Sequence, residues 1–144
     1  MKNVLIIGNF HHKNKESLEC ILFKLNCNYK YGNINDIKKY DIIFSPTIPI
    51  NTSKFPNKKF IFGPHFSVFP TNKLLYINNI YKNSIYIQPS LWALNVWKNQ
   101  NVEKFIPLKI LYFSVNTNKF KPLKKIKKEK IFIYFKRRKK EELS

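Results

Sequence analysis

The sequence predicts an α/β domain: an open parallel sheet with flanking helices. Three observations carry that expectation. Short, unbroken apolar runs of about four residues recur over the first 90 positions. Each closes on a turn residue, and Gly or Pro marks most of the ends. Helical stripes and longer polar stretches separate the runs. An unbroken apolar run is what a strand buried on both faces looks like, and such strands belong to parallel sheets. Alternation of these strands with helices points to α/β architecture.

The first run, Val4-Leu5-Ile6-Ile7, is closed by Gly8. A helix is expected over residues 15–26. Leu18, Ile21, Leu22 and Leu25 stand there at i, i+3, i+4 and i+7, which makes one apolar stripe, and Asn14 is a cap residue for its start. Cys20 and Cys27 read as packing residues near that stripe. Tyr29-Lys30-Tyr31 is a weaker strand candidate. Further strands are expected at 41–44, closed by Ser45-Pro46, at 59–62, closed by Gly63-Pro64, and at 84–88, closed by Pro89-Ser90. Ser90 is a good N-cap for a second helix to about Asn99, which carries Trp92 and Trp97. Tryptophans on such a helix are expected in the core, although either ring also suits stacking on a sugar or base.

Composition narrows the class. The 144 residues are 44% hydrophobic and 16% aromatic, enough for one domain with a packed core. The net charge is +19, which favours anionic partners without specifying a fold. Lys, Asn and Ile together supply 62 of the 144 residues. All three have A- and T-rich codons, so biased base composition explains part of the excess. No apolar run reaches the ~18 residues of a membrane span, and the start is too short for a secretory segment. Two cysteines outside any metal-ligand spacing read as reduced and the chain as cytoplasmic. Three histidines and eight acids give neither a zinc motif nor a paired-carboxylate site.

Charge also divides the chain. Residues 1–118 carry +10 and residues 119–144 carry +9. The expected organisation is a sheet domain over 1–115, a basic linker over 116–130, and the start of a second, truncated unit over 131–144. That last segment opens with another apolar run, Ile131-Phe132-Ile133-Tyr134-Phe135.

Candidate site residues cluster after the strands. Ligands in open parallel sheets bind beyond the carboxyl ends of the strands, where glycine lets backbone approach a ligand closely. Gly8 is followed by His11 and His12, and Gly63 by His65, so all three histidines are expected at the rim of one crevice. Turn glycines with solvated histidines are the bland alternative. Lys136, Arg137 and Arg138 directly follow the last apolar run, where Arg offers bidentate contacts to phosphate. The lysines of 124–130 read as a solvated linker.

In order along the chain, these segments resemble the GT-B glycosyltransferases of the group 1 type. Val115-Asn116-Thr117-Asn118-Lys119-Phe120-Lys121-Pro122 resembles their V-D-x-x-x-F-x-P interlobe segment, with Asn116 where Asp is usual and Ser114 where Gly is usual. Pro89-Ser90-Leu91-Trp92 resembles the P-S-x-W that opens a late helix of the first lobe. Gly63-Pro64-His65-Phe66 resembles a strand-end loop facing the cleft, and residues 131–138 resemble the first strand of the second lobe with its basic end.

The resemblance implies a Rossmann-like N-terminal, acceptor-side lobe with a truncated donor-side lobe. It implies sugar transfer from a nucleotide-sugar donor to a glycan or other hydroxyl acceptor. In these roles His65 is catalytic, Gly8, His11 and His12 bind acceptor, and Lys136, Arg137 and Arg138 bind the donor diphosphate. No metal and no other cofactor is implied. For a split protein, a separate C-terminal lobe is a further partner. The alternatives are a basic nucleic-acid-binding protein, which the ordered match makes the weaker reading, and an inactive Rossmann-like interaction module.

Overall fold

The computed structural model describes residues 2–8, 12–64, 82–114 and 117–119. Six strands form one sheet: β1 (Lys2–Ile7), β2 (Cys27–Gly32), β3 (Ile42–Ser45), β4 (Lys59–Phe62), β5 (Ser84–Gln88) and β6 (Leu108–Ile110). Their order is β2-β1-β3-β4-β5-β6, and every pairing is parallel. Among the described residues two α-helices flank it, α1 (His12–Lys24) and α2 (Leu91–Asn99). The α/β, Rossmann-like parallel sheet expected from the apolar runs is therefore the observed fold.

Strands β1 and β3 bury both faces along most of their length, whereas β4 buries Phe60 and Phe62 on one face and leaves Lys59 exposed and Ile61 half-buried on the other. Along β1, Leu5 and Ile7 point to one side, joined by Ile43, Phe60, Phe62 and Tyr86. Val4 and Ile6 point to the other, with Phe44 and Ile87. The first face is covered by Ile37, Val102 and Ile106 from short 3-10 turns and the stretch after them, and by Trp97 of α2. Trp97 stacks on Tyr86 with ring centroids 4.4 Å apart. The second face is covered over β1 by Leu18 and Leu22 of α1. Continuous apolar sequence in β1 and β3 is thus a direct product of helices or turns on both sides.

Several local expectations need correction. Helix α1 starts three residues early, so Asn14 lies inside its first turn instead of capping it. It also ends at Lys24, so Leu25 falls in the following turn and is 66% exposed. Cys20 is exposed on the outer face, whereas Cys27 packs at the edge of the second cluster. Trp92 is 77% exposed and is not a core residue, although Trp97 of the same helix packs on the core. The Ser90 cap stands as expected: its Oγ accepts from the Ala93 N–H at 3.2 Å. Asparagine takes the positive-φ positions at Asn26, Asn83 and Asn101, the residue type that tolerates the left-handed region best after glycine. No helix among the described residues is long and apolar enough to cross a membrane.

Candidate functional site

Strand order decides where a ligand site forms. The chain leaves β1 toward β2 on one side and β3 toward β4 on the other, so the loops diverge between the carboxyl ends of β1 and β3. Open parallel sheets bind ligands in the crevice that this divergence opens. Gly8 ends β1 there, with φ +92°. A Cβ on Gly8 would lie 2.7 Å from Thr47 Oγ1 and 3.1 Å from the Ile48 side chain, so the loops after β1 and β3 touch.

Hydrogen bonds carry this row of strand ends sideways. Ser45, the last residue of β3, is fully buried, and its Oγ donates to the Ile48 carbonyl at 2.6 Å. The Ile7 carbonyl lies 3.5 Å from the same hydroxyl. The Gly63 N–H, just past β4, donates to the Ser45 carbonyl at 3.2 Å. Gly63 has φ +90° and is joined to Pro64 by a cis peptide bond. There is no space for a side chain at Gly63, because a Cβ would stand 2.6 Å from the Ile87 carbonyl oxygen.

The next strand end supplies a group that sequence reasoning missed. Gln88 closes β5 and is only 3% exposed, yet its Nε2 has no hydrogen-bond partner among the described residues. A buried amide without a partner costs about 1–3 kcal/mol, so an acceptor that reached it would gain correspondingly. The one sequence signal was a polar residue ending an apolar run, which is also how an ordinary strand stops. Trp92 stands in the first turn of α2, which starts at this same end of the sheet, and exposes its ring beside Leu91.

Of the expected site residues, Gly8 stands at the crevice and His12 opens α1, four positions further on. His11, His65, Lys136, Arg137 and Arg138 lie outside the described residues. The described strand-end residues Gly8, Ser45, Thr47, Gly63 and Gln88 carry no acid, base or charge, and with the Ser45 hydroxyl and the Gly63 N–H bonded within the fold, the Gln88 amide is the group left without a partner. Proton transfer there requires groups from elsewhere in the chain. Among the described residues no three His, Cys, Asp or Glu side chains cluster as a metal site.

The stretch after β6 returns to α1. Leu111 packs on the cluster that α1 covers. Ser114 Oγ lies 3.3 Å from Ser17 Oγ, and Lys119 Nζ lies 3.6 Å from a Glu16 carboxylate oxygen. Glu16 and Ser17 belong to the second turn of α1, close to the carboxyl end of β1. No protein-family model, curated protein or solved structure matches this chain.

Proposed function

We propose that the sheet domain is the acceptor-side lobe of a GT-B type glycosyltransferase. On this reading it transfers a sugar from a nucleotide-sugar donor to an acceptor hydroxyl when a donor-side lobe closes over it. The observation that supports it is the placement of residues 111–114 and 117–119. This stretch holds part of the segment that resembles the interlobe linker, and Ser114 and Lys119 lie against α1 beside the β1–β3 crevice. A lobe reached from Lys119 starts from the ligand-facing end of the sheet, as an interlobe active site requires.

The roles follow from the chemistry of transfer. The bond between the anomeric carbon and the diphosphate oxygen breaks, and the acceptor oxygen bonds to that carbon. The acceptor proton needs a base, and on this reading the catalytic His65 is the group that takes it. Gly8, His11 and His12 border the acceptor, and Gln88 and Trp92 join them from β5 and α2 as an amide donor and a stacking face. Lys136, Arg137 and Arg138 neutralise the leaving diphosphate, so no metal is required.

Amide NMR of the whole chain tests this reading. Titration with a panel of oligosaccharides and other polyols is expected to move the Gly8, Gly63 and Gln88 signals with at least one member. Tight DNA binding with a steep salt slope, and no strand-end shift with any polyol, would instead favour the nucleic-acid reading.

A further inference from the structure

A second recess opens at the other end of the sheet, where β3, β4 and β5 begin. It encloses about 440 Å³ and is lined by nine of the described residues. Its floor is Ile42, Ile61 and Ile85, one from each of three adjacent strands, all half-buried on the face that α1 covers over β1. In the register Ile61 pairs with Ile85, and Ile42 pairs with Lys59. Alternation along β4 sends Lys59 and Ile61 out of the same face, so a cation rises beside an apolar floor.

The rim is tied together. The Asn83 side-chain amide donates to the Pro56 carbonyl, and the Phe60 N–H donates to the Asn83 carbonyl at 3.1 Å. Thr52 Oγ1 donates to the Lys82 carbonyl at 3.0 Å. Lys58 Nζ rests on the Lys38 carbonyl at 2.9 Å. Lys58 and Lys59 therefore share one mouth, and among the described residues neither is in an ion pair. Among the described residues no acid lines the recess, and the Asp41 carboxylate next to it accepts from the Asn3 N–H at 3.1 Å.

We propose that this recess binds a small anionic amphiphile. Its acidic head sits against Lys59 and Lys58, and its acyl chain crosses Ile61 and Ile85. Charge complementarity selects this occupant. A second copy would bring the same two lysines and a net +19 against the mouth. The chain's own residues 119–144 carry +9 and meet the same repulsion. A stable protein partner uses about 20–30 residues a side, far more than line this recess. The volume falls within the ~300–1,000 Å³ of small-ligand sites with apolar walls and a few polar anchors, enough for roughly ten to twelve carbons. The site is separate from the strand-end crevice and does not depend on the glycosyltransferase reading.

Calorimetry and amide NMR on the whole chain test it, with sodium dodecanoate, sodium decanoate and uncharged 1-decanol below their aggregation limits. Dodecanoate is expected to bind below about 1 mM and to shift the Ile42, Ile61 and Ile85 signals. Each buried methylene is worth about fourfold, so decanoate should bind roughly tenfold to fifteenfold more weakly. Lys59→Glu should weaken decanoate about tenfold and leave decanol within twofold, while Lys24→Glu on α1 should change neither appreciably. The variants' melting curves show whether each remains folded. Affinity independent of chain length, equal loss from Lys24→Glu, or dimerisation in place of ligand uptake would overturn the proposal.

Discussion

The carbonyl oxygen of Ile87 stands 2.6 Å from the point where Gly63 would carry a Cβ, and the Tyr86 ring stands 2.8 Å from the same point. The carbonyl is backbone of β5 and cannot swing aside. Gly63 also has φ +90°, a region that side-chain-bearing residues rarely enter. Gly63→Ala is therefore expected to cost about 2–3 kcal/mol. At Gly8 the obstructing atoms are the Thr47 hydroxyl and the end of Ile48, both able to turn, so Gly8→Ala should cost less despite φ +92°. Urea unfolding of both variants checks the order, and equal costs would contradict it.

Two tryptophans on α2 should separate stability from surface chemistry. Trp97 stacks on Tyr86 at 4.4 Å with planes 19° apart, and Tyr86 is wholly buried. Trp97→Ala removes that stack and is expected to lower stability by about 3 kcal/mol. Trp92 is 77% exposed, so Trp92→Ala should stay within about 0.5 kcal/mol of the parent. If Trp92 meets acceptor, the same change weakens polyol binding while the melting temperature holds.

The Lys15–Glu19–Tyr31 cluster ties α1 to the edge strand β2. Tyr31 Oη donates to Glu19 at 3.1 Å, and Lys15 Nζ sits 5.0 Å from the Tyr31 ring centre. Burial, then the hydrogen bond to the Glu19 carboxylate, raises the phenol above its ordinary value. The folded state thus favours the neutral phenol. Its contribution is fully present below the unfolded value of about 10 and is lost as pH rises through the higher folded value. Thermal melts at pH 8 and pH 11 should show a larger fall for the parent than for Tyr31→Phe. The difference should be small, since the ring is partly exposed.

Much of this fold is legible because β1, β3 and β5 are largely buried on both sides and β4, though half-open on one, is still apolar in sequence. Residues 4–7, 59–62 and 84–88 read directly as strands, with β3 displaced by one residue from 41–44. β2 gave only the weak Tyr29-Lys30-Tyr31 signal because it is a sheet edge whose residues are largely exposed. β6 has three residues with Lys109 in the middle, and the apolar run Ile110-Leu111-Tyr112-Phe113 overlaps it at one residue only, so the strand itself shows no run. Helix α1 was misplaced at both ends because its apolar residues mark a face and not a boundary. Of the crevice, Gly8 and Gly63 were visible as strand-end glycines. Gln88 was not, because its unpartnered amide is a property of packing. Nor was the Ser17–Ser114 contact, which joins residues 97 apart in sequence.

In a two-lobed enzyme containing this domain, His65→Ala should lower kcat by about tenfold or more, the loss expected when a base at the reacting centre is removed. Steady-state kinetics with saturating donor and acceptor measure it. Unchanged turnover with an unchanged melting curve would remove His65 from the chemistry.

The sheet domain alone should transfer no sugar. Transfer needs the anomeric carbon and the attacking hydroxyl held within bonding reach in one cleft, an advantage that comes from fixing two partners together. The described strand ends provide hydrogen-bonding groups on one side of such a cleft. They provide no charge to meet a leaving diphosphate. The basic residues Lys136, Arg137 and Arg138 would attract a nucleotide diphosphate by charge, and unorganised charge contacts in water are individually weak and strongly screened by salt. The 144-residue chain, given UDP-, GDP- and ADP-sugars with candidate acceptors, should therefore show no turnover. Its nucleotide affinity should be no tighter than about 1 mM at physiological salt. Micromolar binding that survives added salt, or measurable transfer, would place a complete donor site within these 144 residues and shift the reacting centre away from the β1–β3 crevice.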